Sequence, residues 1–209
     1  KNKNTLWLAA GEYAITPVGH VTYPNRILRE AGLLKVREAG DGEHLDPAGS
    51  RAWALADHQF SHVFVGEGAD VERVADLFRG REGIAAVLVG DDMARYGLDH
   101  ARSGEIVLVS TPDSWQAYYW WLDEARAPDF ARSIDIHRKP GYDPVELFFD
   151  PTTKSIPLDA SLVRGSHGAP AHHPSQMTVL LCNRPGLFPG TIVRDTDVFD
   201  VVLRCFGMK

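Results

Sequence analysis

Basic charge is scarce in this sequence. Its 22 lysines and arginines are outnumbered by 28 acidic residues, which leaves a net charge of -6. Binding along a nucleic-acid backbone needs a basic excess to displace counterions, so a nucleic-acid polymer is excluded as the main partner. Local basic spots remain available to a small anionic substrate. Cysteine is scarcer still: only Cys182 and Cys205 occur, far apart and both in apolar segments. That excludes a disulfide scaffold and reads as a reduced, cytoplasmic pair of core thiols. Long hydrophobic runs are missing, and nothing approaches the roughly 18 apolar residues of a membrane span, so no membrane partner is expected. The opening KNKNTLWLAAGEY joins a basic start to an apolar run. That run is too short for a secretion signal, ends in Glu12, and reads as a buried strand. Internal repeats and low-complexity tracts are also lacking.

What is present is ordinary for a globular protein, with 44% hydrophobic and 24% charged residues. The 209 residues suffice for one large domain or two small ones. TLWLAA at 5–10 is an expected strand. Pro24 opens a helix in PNRILREAGLL, with Ile27, Leu28 and Leu34 on one face and Gly32 near its end. RAWALADHQFSHVFV reads as two short extended segments. GADVERVADLFRG is an amphipathic helix, with Val71, Val74, Leu77 and Phe78 at helical spacing. IAAVLVG and EIVLVST are strands, and DDMARYG between them is a short helix with Asp91 as its expected N-cap. A last strand, TVLLC, precedes a C-terminal helix from about Thr196, with Val198, Val201, Val202 and Cys205 on its inner face. Residues 61–111 thus form a compact α/β run. The outer segments 1–50 and 155–209 are expected to share one sheet, mixed or parallel, containing 5–10 and 178–182 and flanked by helices near 24–33 and 196–206. Residues 51–154 are expected to form an inserted subdomain.

Four stretches could carry chemistry. In LVRGSHGAPAHHPS, His167 stands between small residues that let a backbone approach whatever its imidazole touches. A metal ligand and a solvated loop histidine are both open readings there, whereas His172 and His173 belong to a polar loop. In ADHQFSH, His58 and His62 would share a face on a helix. The flanks favour an extended chain, which sets them roughly 13 Å apart, so a structural role is expected. In LWLAAGEY, Glu12 lies just past a strand end, where ligands gather in α/β enzymes. A capping or surface acid is its other reading. In DIHRKPGYDP, the basic residues His137, Arg138 and Lys139 of a Pro-Gly turn could clamp a phosphate. An exposed turn tied by its own ion pairs is an equal alternative.

Taken in order, TLWLAAGEYAI, PNRILREAGLLKVRE, SHVFVGEGADVERVADLFRGREGIAAVLVGDDMARYGLDHARSGEIVLVST and RGSHGAPAHHPSQMTVLLCNRPG resemble the alkaline phosphatase superfamily. The likeness is to its type I phosphodiesterase / nucleotide pyrophosphatase branch, with phosphonoacetate hydrolase as a relative. It spans nearly the whole chain in the order of that family's C-terminal half. GSHG followed by a strand is its most specific motif, and the middle stretch is similar more in rhythm than in letters.

The resemblance implies a partial alkaline-phosphatase-like α/β sheet flanked by helices, with a smaller inserted α/β lobe. It implies two divalent ions, usually zinc, with manganese an alternative, beside a Thr or Ser nucleophile. Crowded phosphoryl oxygens need charge neutralisation and an activated alkoxide, which a metal pair supplies. His167 matches the family's last metal-binding histidine. Glu12 matches a position where the family places an Asp directly after a strand, followed by His; here Tyr13 follows instead. Arg164, His137, Arg138 and Lys139 are candidate contacts for a small phosphorylated substrate. The family's nucleophile and its other Asp and His ligands have no match in the chain. The expected function is therefore the C-terminal part of a metal-dependent hydrolase of phosphoesters, pyrophosphates or phosphonates, inactive alone. A non-catalytic excised or degenerate module is the alternative.

Overall fold

The computed structural model describes residues 5–188 and 190–208. The basic start KNKN falls outside them. The chain is mixed α/β and divides into two compact units, 15–170 and the pair 1–14 with 171–209. One α/β body is therefore inserted into the sequence of the other unit. Its boundaries fall outside the 50/51 and 154/155 positions read from the sequence.

In the outer unit, β1 (Leu8–Ala10) pairs antiparallel with its partner strand Leu180–Cys182, Ala9 facing Leu181. The two outer segments do pair as expected, but in a two-stranded antiparallel ribbon and not in a mixed or parallel sheet. Asn183 clips the ribbon end: its side chain accepts from the Trp7 amide at 3.0 Å and donates to the Thr5 carbonyl at 2.9 Å. The C-terminal helix Asp197–Cys205 starts after Thr196 as expected and buries Val201, while Val202 is partly exposed. Both cysteines are free and half-buried.

In the inserted body, β2 (Thr16–Pro17) and β3 (His20–Thr22) lead into α1 (Pro24–Glu30), with Pro24 at its first turn. A hairpin of β4 (Val36–Ala39) and β5 (Gly42–Leu45) follows. The main sheet is antiparallel, in the order β6 (Ala52–Asp57), β7 (Phe60–Val65), β9 (Ile106–Ser110), β8 (Ile84–Val89). The alternation expected of a half-buried strand is strict in β6, where Ala52, Ala54 and Ala56 are fully buried. Helices α2 (Val71–Asp76) and α3 (Asp91–Ala94) connect these strands. Asp70 caps α2, its carboxylate accepting from the Arg73 amide at 3.2 Å. Gly90, not Asp91, holds the N-cap position of α3, because a positive φ of 54° is needed there. Strand β10 (Ser114–Gln116) pairs parallel with β3, and β11 (Gly165–Ser166) pairs antiparallel with β2. The strand Leu180–Cys182 of the outer unit is then β12, and the helix Asp197–Cys205 is α4.

A further expectation is corrected. The helix near 24–33 belongs to the inserted body and not to the unit that holds the ribbon: α1 packs on β6. Asn25 explains this placement. It is fully buried at the start of α1, donates to the carbonyls of Ala54 and Tyr118 and accepts from the Ala54 amide at 2.7 Å. A buried amide must find partners, and two of its three hydrogen bonds are to Ala54 on β6. β6 completes the sheet of the 61–111 run at its edge.

A charge cluster closes the far side of this core. Glu43, the second residue of β5, is buried and bound by both Arg29 and Arg126. The Trp120 indole donates to the Glu43 carbonyl at 2.9 Å. The hydrogen bond from Arg29 holds the Glu43 carboxyl below the usual carboxylate range against the opposing effect of burial. A depressed carboxyl contributes stability that is full above its unfolded pKa, about 4.3, and is lost as pH falls through its lower folded value. Glu43→Gln is therefore expected to lower stability at pH 7 by about 1–3 kcal/mol and to flatten the acid limb of the stability curve. Urea unfolding at a series of pH values checks both.

Candidate functional site

The β6–β7 hairpin turns through only two residues, His58 and Gln59. His58 takes φ 53°, a left-handed conformation that hairpins ordinarily give to glycine. Holding a non-glycine residue there costs about 1–3 kcal/mol, and such strain clusters at functional positions. The turn carries Asp57, the last residue of β6, whose carboxylate accepts from Nδ1 of the adjacent His58 at 2.5 Å. A carboxylate can only accept, so Nδ1 carries the proton and Nε2 keeps its lone pair. Nε2 has no partner among the described residues.

Three distant segments converge on this turn. Gln59 is buried and ties two of them. Its amide N–H donates to the His167 carbonyl at 2.9 Å, and its side-chain oxygen accepts from the Ala169 amide at 3.3 Å. Its side-chain nitrogen donates to the carbonyls of Pro112 and Ser114, both at 3.1 Å. The outcome is that the His167 ring lies 3.9 Å from the His58 ring, tilted by 33°. Strand β11 delivers His167 to this spot, and Gly168, at φ 110°, turns the chain away against Phe60.

The third segment is 139–143. Gly141 has φ 115°, and a Cβ there would sit 1.6 Å from the Ala56 carbonyl oxygen. Only glycine allows the loop to lie flat on β6, where the Ala56 amide donates to Pro140 and the Tyr142 amide donates to Ala56. This sets Tyr142 face to face on His58, with ring centroids 4.5 Å apart and planes at 13°. Tyr142 itself remains 39% exposed.

Of the residues expected to act, His167 is in this cluster. Glu12 is exposed and belongs to the outer unit. Arg164 is exposed two residues before Ser166, with its carbonyl accepting from the Val18 amide. Of the DIHRKPGYDP residues, Arg138 pairs with Asp135 at 2.6 Å and covers the Phe130 ring, and His137 donates its amide to Asp135. Lys139 does not fit a phosphate clamp. Its side chain is 1% exposed, and all three ammonium protons are engaged, by Asp143 at 2.9 Å, Glu146 at 2.6 Å and the Ser133 carbonyl at 2.9 Å. Burial pushes the Asp143 carboxyl up in spite of Lys139. The turn is thus tied largely by its own ion pairs.

Asp57, Gln59 and Tyr142 are not among the site residues proposed from the sequence, and His58 is weighed there only with His62 and given a structural role. A signal existed. Asp57–His58 is an Asp at the end of a strand followed by His, the pattern that Glu12–Tyr13 meets only loosely. His62 has the structural role expected of it. It contacts Phe60 and Phe64, accepts from the Gly104 amide, and is lowered in pKa by burial.

The donor chemistry suits a divalent ion in part. Two imidazoles adjoin, and one has its Nδ1 proton fixed by a carboxylate, the arrangement that orients metal-binding histidines. Yet among the described residues no group of three or more His, Cys, Asp or Glu converges to hold an ion. The described residues therefore do not close a metal site by themselves.

Comparison with known proteins gives the class. The chain belongs to the type I phosphodiesterase / nucleotide pyrophosphatase family, whose sequence model matches residues 1–143. Two solved structures of phosphonoacetate hydrolase from Sinorhizobium meliloti 1021 are similar to it, one in complex with phosphonoacetate and one with phosphonoformate. They share 16% and 15% identity over 95% of the chain, each with a TM-score of 0.49. The chain spans 42% of the length of those proteins. No curated protein matches it.

The packing of Gly141 on Ala56 generates a prediction. Gly141→Ala is expected to lift the 139–143 loop from β6, abolish the Tyr142–His58 ring contact and cost about 1–3 kcal/mol from the disfavoured φ alone. Ring-current shifts of the His58 protons and chemical denaturation of the two proteins check this.

Proposed function

We propose that this chain supplies part of the active centre of a divalent-metal-dependent hydrolase that acts on a small phosphoester, pyrophosphate or phosphonate. Zinc is the proposed ion, with manganese the alternative. The observation that carries this is the apposition of His58 and His167 beside Asp57, in a chain whose family is that of phosphodiesterases and nucleotide pyrophosphatases. His58 and His167 would hold the ion through ring nitrogens, with Asp57 fixing the tautomer of His58 or joining as an oxygen ligand. Such an ion supplies charge neutralisation at the phosphoryl group and an activated nucleophile. Two imidazoles and one carboxylate are too few donors for two ions. The remaining ligands and the Ser or Thr nucleophile are accordingly proposed to lie outside the described cluster. Arg164, exposed beside β11, is the proposed charged contact for a substrate oxygen.

A non-catalytic module is the second reading, favoured by the lack of a third converging donor. Zinc binding separates the two. The chain is expected to bind zinc weakly in a competition titration. Asp57→Asn is expected to weaken that binding about 10–100-fold, because an amide no longer fixes the imidazole. No zinc binding, or binding indifferent to Asp57, His58 and His167, would favour the module. With bis-para-nitrophenyl phosphate and excess zinc or manganese the chain is expected to show no turnover. Turnover that vanishes in His167→Ala would mean that a complete site is present.

A further inference from the structure

We infer that Tyr142 is a positioning residue for His58: its ring face clamps the imidazole in the plane that keeps Nδ1 on Asp57 and leaves Nε2 open. This rests on the proposed role of His58 in the active centre. The need for a clamp follows from the torsions. A histidine ring turns about a broad, nearly two-fold bond, so little intrinsic preference holds it. The hydrogen bond to Asp57 reaches only the adjacent residue, and that carboxylate is 46% exposed, open to competition from water. Ring contacts to both Tyr142 and His167, with centroids at 4.5 and 3.9 Å, restrict the turning of the imidazole. The hydrogen bond alone does not do this.

The way Tyr142 is held supports a dedicated role. An exposed tyrosine ordinarily spends its rotamer freedom in water. Here its backbone is bonded to Ala56, its predecessor is a glycine that alone permits the approach, and its successor is Asp143, buried against Lys139. The latch orders a side chain that adds little to the core. What the side chain touches is the candidate ligand His58. The contact uses the face of the ring, not its hydroxyl, so phenylalanine should serve as well.

Nitrogen-resolved NMR of the histidine side chains in the 209-residue chain tests this with wild type, Tyr142→Phe and Tyr142→Ala. Tyr142 is partly exposed, so neither variant should unfold the body. Wild type and Tyr142→Phe are expected to show His58 as a single Nδ1-protonated tautomer. Tyr142→Ala is expected to show both tautomers in exchange. The same single tautomer in all three proteins would overturn the inference. This readout needs no metal, so it decides the positioning role whether or not the centre binds an ion. In a zinc titration, Tyr142→Ala is expected to bind about tenfold more weakly and Tyr142→Phe like wild type. Equal affinity of a zinc-binding wild type and Tyr142→Ala would also overturn it. If wild type takes up no zinc while the tautomer still depends on residue 142, the metal reading falls and the positioning role stands.

Discussion

The site depends on the hydrogen bonds of one buried amide. Gln59 holds the His167 segment through its backbone N–H and side-chain oxygen, and holds the 112–114 segment through its side-chain nitrogen. The Ser110 amide donates back to its carbonyl at 2.8 Å. A buried amide with unmet groups is costly, so each of these partners is fixed once Gln59 is inside. The two-residue turn leaves no slack to relax the geometry. His58 accepts a left-handed backbone as the cost of putting its neighbour at the junction.

The opposite side of the turn is organised by charge where Gln59 uses neutral bonds. Lys139 is surrounded by acceptors and carries two carboxylates into the interior. Removing one partner of such a buried group is far more damaging than its net contribution suggests, because the others are left unpaired. The loop above Lys139 is therefore rigid where it faces β6, although its outer rim is exposed. Rigidity here and hydrogen-bond closure at Gln59 hold His58 against two rings.

Much of the architecture was legible in local pattern. Period-2 alternation in RAWALAD, helical spacing in VERVADLF, Pro24 at a helix start and the left-handed Gly32 after it need only neighbours in sequence. That the outer segments pair was also legible, but their antiparallel direction was not. What was not legible depends on distance. Asn25 finds its acceptors 29 and 93 positions away, and that choice moves α1 into the inserted body. Gln59 reads as a polar turn residue until partners up to 110 positions away are known. Of the site, His167 was found because its motif is local. His58 was set aside because the strand spacing to His62 was weighed, and not its proximity to a segment beyond residue 160. Lys139 looked available because basic residues in a Pro-Gly turn are usually solvated, and nothing local says that this one points inward.

The contact of Gly141 with the Ala56 carbonyl also limits how this family member can vary. It joins main chain to main chain, so it fixes spacing and not chemistry. A residue inserted or deleted between Lys139 and Asp143 would shift the glycine out of register with β6 and carry the tyrosine away from the histidine. The stretch Asp135–Arg138 is held in length as well, because the Asp135 amide donates to Glu146 and Lys139 reaches back to the Ser133 carbonyl, while the exposed side chains of His137 and Arg138 are free to change. Within a single Pro-Gly loop, scaffold and variable surface alternate residue by residue.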